Sequence, residues 1–122
     1  MQKIIVLVAL LWLNVTFSQN QLPLIPMPKE IEIGKKNFIL NENTVINANK
    51  NSFEAKYLQT IIKEQFDLNL KISQNSKATS KINLSTNVPD AKNFEKESYY
   101  LSVDDKRIEI QAISQQGIFY GI

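Results

Sequence analysis

The feature that most constrains the fold is a change in hydrophobic periodicity along the chain. In one long segment, residues 53–66, apolar side chains recur at helical spacing. They form a stripe that consists of Phe53, Tyr57, Leu58, Ile61, Ile62 and Phe66. The flanking segments are short and β-rich, and residues 99–103 and 107–112 alternate apolar with polar side chains. This arrangement predicts a small α+β domain with a mostly antiparallel sheet and helices packed on one face.

Polar residues mark both ends of the predicted helix. Asn51 or Ser52 can cap its first turn, because their side chains accept hydrogen bonds from free backbone N–H groups. Asp67 and Asn69 break the helix, and Asn69 can adopt the left-handed conformation that closes a helix. The sequence therefore predicts a helix over 53–66 whose apolar stripe packs in the core.

Short strands are predicted on both sides of the helix. They cover residues 30–33, 37–40, 44–47, 70–73, 82–85, 99–103 and 107–112. We expect Gly34 to turn the first two strands into a hairpin. The turn Asp104-Asp105-Lys106 is expected to join the last two strands into another.

A second helix is predicted to begin at a Ser114 cap and to continue to Ile122. Gly117 and Gly121 lie four residues apart on one face of it, which lets the helix approach a sheet or another domain at backbone range. The sequence ends on an apolar residue inside this helix. We therefore expect the 122 residues to be the front of a longer protein.

The first 18 residues are typical of an export signal. Lys3 precedes an apolar run over 4–15 that is shorter than the ~20 residues of a membrane span. Cleavage before Gln19 leaves residues 19–122 as one domain, which begins with a Pro-rich extended segment. The chain contains no cysteine, so it has no disulfide and is not a lipoprotein. We expect a periplasmic or extracellular protein.

Charge and residue types point away from several functions. The net charge of +2 is too small to indicate a basic surface that binds nucleic acid or an anionic membrane. Histidine and cysteine are both absent, and with them the commonest acid/base and metal-binding side chains. The adjacent Asp104 and Asp105 are explained by a turn, which favours Asp. The sequence therefore predicts no catalytic, cofactor-binding or metal-binding residue and no cofactor.

Two stretches together resemble the N-terminal domain of exo-β-N-acetylhexosaminidases of glycoside hydrolase family 20. The first is Leu24-Ile-Pro-Met-Pro-Lys-Glu-Ile-Glu-Ile-Gly34, followed by Asn37-Phe-Ile-Leu40. The second comprises Glu97-Ser-Tyr-Tyr-Leu-Ser-Val103, Arg107-Ile-Glu-Ile-Gln-Ala112 and Gly117-Ile-Phe-Tyr-Gly121. The resemblance spans nearly all of the sequence after the signal.

The resemblance implies a non-catalytic α+β unit that packs against a downstream (β/α)₈ barrel, through which a glycan substrate would be reached. In that family a Glu and an Asp on the barrel carry the chemistry, with help from the acetamido group of the substrate. Neither residue has a counterpart in this sequence, so the chain alone is expected to be inert. The alternatives are a free-standing exported carbohydrate- or protein-binding module, which would use an exposed Tyr100, and the N-terminal domain of a related glycoside hydrolase.

Overall fold

The structure, a computed structural model, describes residues 28–89, 92 and 94–122. The chain divides into two compact units, residues 1–32 and 33–122. Residues 28–32 of the first unit are irregular, and all but Pro28 are exposed. The predicted signal peptide over 1–18, the cleavage before Gln19 and the Pro-rich segment up to residue 27 lie outside the described residues.

All regular elements of the described residues belong to the second unit. They are β1 (Val45–Asn47), α1 (Phe53–Phe66), β2 (Lys71–Ile72), β3 (Lys81–Ser85), β4 (Tyr99–Val103), β5 (Arg107–Ala112) and α2 (Gln115–Gly121). Helix α1 and the strands β4 and β5 have the predicted bounds. The bounds of β1, β2 and β3 differ by one residue, at one or both ends, from the strands predicted over 44–47, 70–73 and 82–85. Across the described part of the chain, no helix is long and apolar enough to cross a bilayer.

The five strands form one mixed sheet in the order β2-β1-β3-β5-β4. The prediction of a mostly antiparallel sheet is wrong, because three of the four pairings are parallel and only β4 with β5 is antiparallel. Only these last two strands are joined by a short turn. The connections from β1 to β2 and from β2 to β3 are longer and return the chain to the same end of the sheet, so these three strands run in the same direction. Strand β4 runs opposite to β3. The α+β class holds.

The predicted hairpin around Gly34 is also wrong. Residues 28–40, which the structure describes in full, contain no strand. Phe38 and Leu40 instead pack from an irregular segment against the core. Ile39, which lies between them, is 72% exposed. The apolar run over 37–40 therefore reflects this docking and not a sheet, and a pattern of four residues cannot separate the two.

Both helices cover the same face of the sheet. Ile46, Ile82 and Ile108 lie side by side on adjacent strands. Helix α1 packs against this row through Ala55, Leu58 and Ile62, which are buried with Ile46, Ile82 and Leu70. Helix α2 adds Ile118 beside Ile110 and Ala112, two strand positions that share the face of Ile108. The predicted placement of the helices on one face is thus observed.

The caps of α1 follow its sequence with one change. Ser52 is the N-cap, and its hydroxyl accepts a 3.2 Å hydrogen bond from the N–H of Ala55. The left-handed residue at the other end is Asp67, with φ of 55°, and not Asn69. Its N–H donates to the carbonyl of Lys63 and closes the last turn.

The apolar stripe of α1 does not enter the core as a whole. Leu58 and Ile62 are buried, as predicted, but Phe53, Tyr57 and Phe66 are 65%, 38% and 58% exposed. Ala55 and the aliphatic part of Glu54 take the remaining core positions. The six apolar residues of the stripe spread over about 220° of the helix at 100° per residue, which is wider than the arc that one sheet can cover.

The two glycines of α2 bring that helix onto the sheet. A Cβ on Gly117 would lie 2.5 Å from the carbonyl oxygen of Ser98 and 2.7 Å from the Cβ of Ala112. A Cβ on Gly121 would lie 2.5 Å from Cγ2 of Ile110. Of the two partners that the sequence allowed for this close approach, the structure shows the sheet. Ser114 caps α2 as predicted, with its Oγ 3.1 Å from the N–H of Gly117.

Candidate functional site

Four aromatic side chains form a continuous exposed patch on the outer side of the two helices. We call it the aromatic patch, and it consists of Phe53 and Tyr57 from α1 and Phe119 and Tyr120 from α2. Their exposed fractions are 65%, 38%, 39% and 48%. Contiguous exposed apolar surface of this kind marks an interaction site more often than scattered single residues do.

The rings contact one another across the helix pair. Phe53 and Tyr57 are one turn apart on α1, and their rings are parallel within 9° at a centroid separation of 6.0 Å. Phe119 joins the helices, because its ring centroid lies 5.1 Å from that of Tyr57 and 6.2 Å from that of Phe53. Tyr120 meets Phe119 edge-on at 6.0 Å. These separations are those of favourable aromatic pairs.

The surroundings of the patch suit an apolar partner. Helix α2 has no acidic residue in its first turn and no basic residue in its last. Its sequence, Gln115-Gln-Gly-Ile-Phe-Tyr-Gly121, carries no charge at all. Helix α2 therefore adds no charge that a covering partner would have to bury, which is the step that makes many interfaces costly.

The sequence interpretation missed this patch because it assigned Phe53 and Tyr57 to the core. The signal was present in the width of the apolar stripe on α1. Leu58 and Ile62 lie near the centre of the buried arc, whereas Phe53 and Tyr57 lie on its shoulder. A stripe that is too wide for one contact indicates a second partner.

The acidic pair lies where the sequence predicts it, in the turn between β4 and β5. One carboxylate oxygen of Asp104 accepts hydrogen bonds of 2.7 and 2.8 Å from the N–H groups of Lys106 and Arg107. The other oxygen is 3.3 Å from Nε of Arg107. Asp105 pairs with Nζ of Lys36 at 2.9 Å. Both acids therefore have structural partners.

These partners also fix the protonation state of the acids. The backbone N–H groups of Lys106 and Arg107, together with the Arg107 guanidinium, hold the pKa of Asp104 below its ordinary value of 3.8. Hydrogen bonding to Lys36 lowers the pKa of Asp105 as well, and the same contact raises the pKa of Lys36. Both acids are carboxylates at neutral pH, a state in which they do not act as general acids.

The turn borders an open polar notch of about 420 Å³. Its walls are Lys36, Ala78, Thr79, Lys81, Asp104, Asp105, Lys106 and Arg107. Two of its cations are already paired with the two acids. Among the residues that the structure describes, no group of three or more His, Cys, Asp or Glu side chains is arranged to hold a metal ion.

Tyr99 and Tyr100 point to opposite faces of the sheet, as the alternation of β4 predicts. The ring of Tyr99 lies under α2, beside the position of Gly121. Tyr100 is 53% exposed on the face opposite α1 and α2. Of the two tyrosines, only Tyr100 is therefore open to a ligand.

Comparison with known families gives one match. Residues 21–122 match the family model described as Glycosyl hydrolase family 20, domain 2. No curated protein matches the chain. The family match covers both stretches of the resemblance described above.

Proposed function

Because the chain belongs to glycosyl hydrolase family 20, of which it carries domain 2, we propose that it serves as the accessory N-terminal domain of an exported β-N-acetylhexosaminidase. The parent enzyme removes terminal N-acetylhexosamine residues from glycans. The chain works in the periplasm or outside the cell, where an export signal over residues 1–18 directs it. It supplies a scaffold and no catalytic group.

The aromatic patch is the observation that carries this proposal. Domain 2 of the family normally accompanies a catalytic barrel in the same protein. The outer side of a (β/α)₈ barrel is a ring of helices, and such a surface packs well against a helix pair that presents aromatic side chains. We assign the patch to the contact with that barrel. The two helices are then held between the sheet of this domain and the barrel.

The first test is catalytic. The 122-residue chain is incubated with a chromogenic N-acetylglucosaminide, and we expect no turnover above the buffer blank. Its adjacent acids, Asp104 and Asp105, lie in a turn, and the reaction of the family needs a Glu and an Asp that are placed on the barrel. Turnover by the purified chain would place catalysis within it and overturn the assignment.

The second test concerns the contact. In a protein that carries this domain and its barrel, the double substitution Phe53→Ser and Phe119→Ser removes two of the four rings. We expect calorimetry to show that the single cooperative unfolding of the natural protein separates into two transitions, because the domains lose their coupling. The matched control is Lys63→Ser, an exposed residue of α1 outside the patch. If the double variant and Lys63→Ser both unfold in a single transition like the natural protein, the docking assignment is contradicted.

The reading frame provides a direct check. We expect codon 122 to be followed in frame by ~200 or more residues with the alternating strand and helix pattern of a barrel. A stop codon there would favour the alternative of a free-standing binding module. A barrel with a different acidic pair would instead favour a related glycoside hydrolase.

A further inference from the structure

We draw no further inference here: the strongest candidate, the polar notch beside the turn between β4 and β5, has two of its four cations paired with Asp104 and Asp105, and nothing in the structure shows which ligand would fill it.

Discussion

Gly117 is the residue at which the packing of α2 is least tolerant. An added Cβ meets the backbone carbonyl of Ser98 at 2.5 Å, and backbone cannot turn aside as a side chain does. We expect Gly117→Ala to lower the free energy of unfolding by about 1–3 kcal/mol, the usual cost of overpacking. Urea unfolding followed by circular dichroism measures this change.

Gly34 provides the matched control for that substitution. A Cβ at this position meets nothing within 4 Å. Gly34→Ala should therefore leave the free energy of unfolding unchanged or raise it by up to about 1 kcal/mol, because alanine restricts the unfolded chain. Equal destabilisation by the two substitutions would show that helix and sheet are not in close contact at Gly117.

Asp104 gives a prediction for acidic pH. Its pKa is lowered in the folded chain by the N–H groups of Lys106 and Arg107, so its ionised form favours folding. That contribution is present above the ordinary pKa of 3.8 and is lost as the pH falls through the lower folded value. We expect the urea midpoint of the natural chain to fall more steeply below pH 4 than that of Asp104→Asn, which keeps an acceptor oxygen but cannot titrate. Parallel curves for the two proteins would contradict this role.

Among the elements, α1 shows how a single apolar stripe serves two surfaces. Leu58 is 8% exposed and Phe66 is 58% exposed, although both belong to the stripe. We expect Leu58→Ala to lower the free energy of unfolding by about 2–5 kcal/mol, because it leaves a cavity in the core. Phe66→Ala should change it by only about 0.5 kcal/mol, as surface substitutions do. Similar losses would mean that the stripe packs as one unit.

The elements themselves were largely predictable from sequence, and their pairing was not. Helix α1 has a long stripe, a Ser52 cap and a polar end, all of which are local signals. The strands β4 and β5 are adjacent and share a short turn, so their hairpin could also be predicted. The parallel pairing of β1 with β3 joins residues 36 positions apart, and no local pattern encodes the direction of such a contact.

The candidate site was beyond prediction for a related reason. Phe53 and Phe119 are far apart in the sequence and meet only after both helices have packed on the sheet. The roles of Asp104 and Asp105 in a turn were predictable, because the turn is local. The exposure of Tyr100 followed from strand alternation once β4 was identified. What the sequence lacked was the position of α1 relative to α2.

At the scale of the whole molecule, the domain has two faces of contrasting chemistry. The helical face presents the aromatic patch, and the opposite face presents polar and charged side chains together with Tyr100. We expect the folded chain to bind the apolar dye ANS, and the double substitution Phe53→Ser and Phe119→Ser to remove most of that fluorescence. Tyr100→Ala should leave it unchanged. Dye binding that is indifferent to both changes would place the apolar surface elsewhere.

The strand order determines when each strand can find its partners while the chain is being synthesised. Strand β3 is the centre of the sheet, with β1 on one side and β5 on the other. Synthesis proceeds from the N-terminus, so β3 cannot pair with β5 until residues 107–112 have left the ribosome. Strands β1, β2 and β3 are complete before then, whereas the edge of β3 that pairs with β5 stays unpaired until β5 is available. The last strand to be synthesised is therefore the one that joins β4 to the rest of the sheet, and a chain released before residue 107 lacks that link.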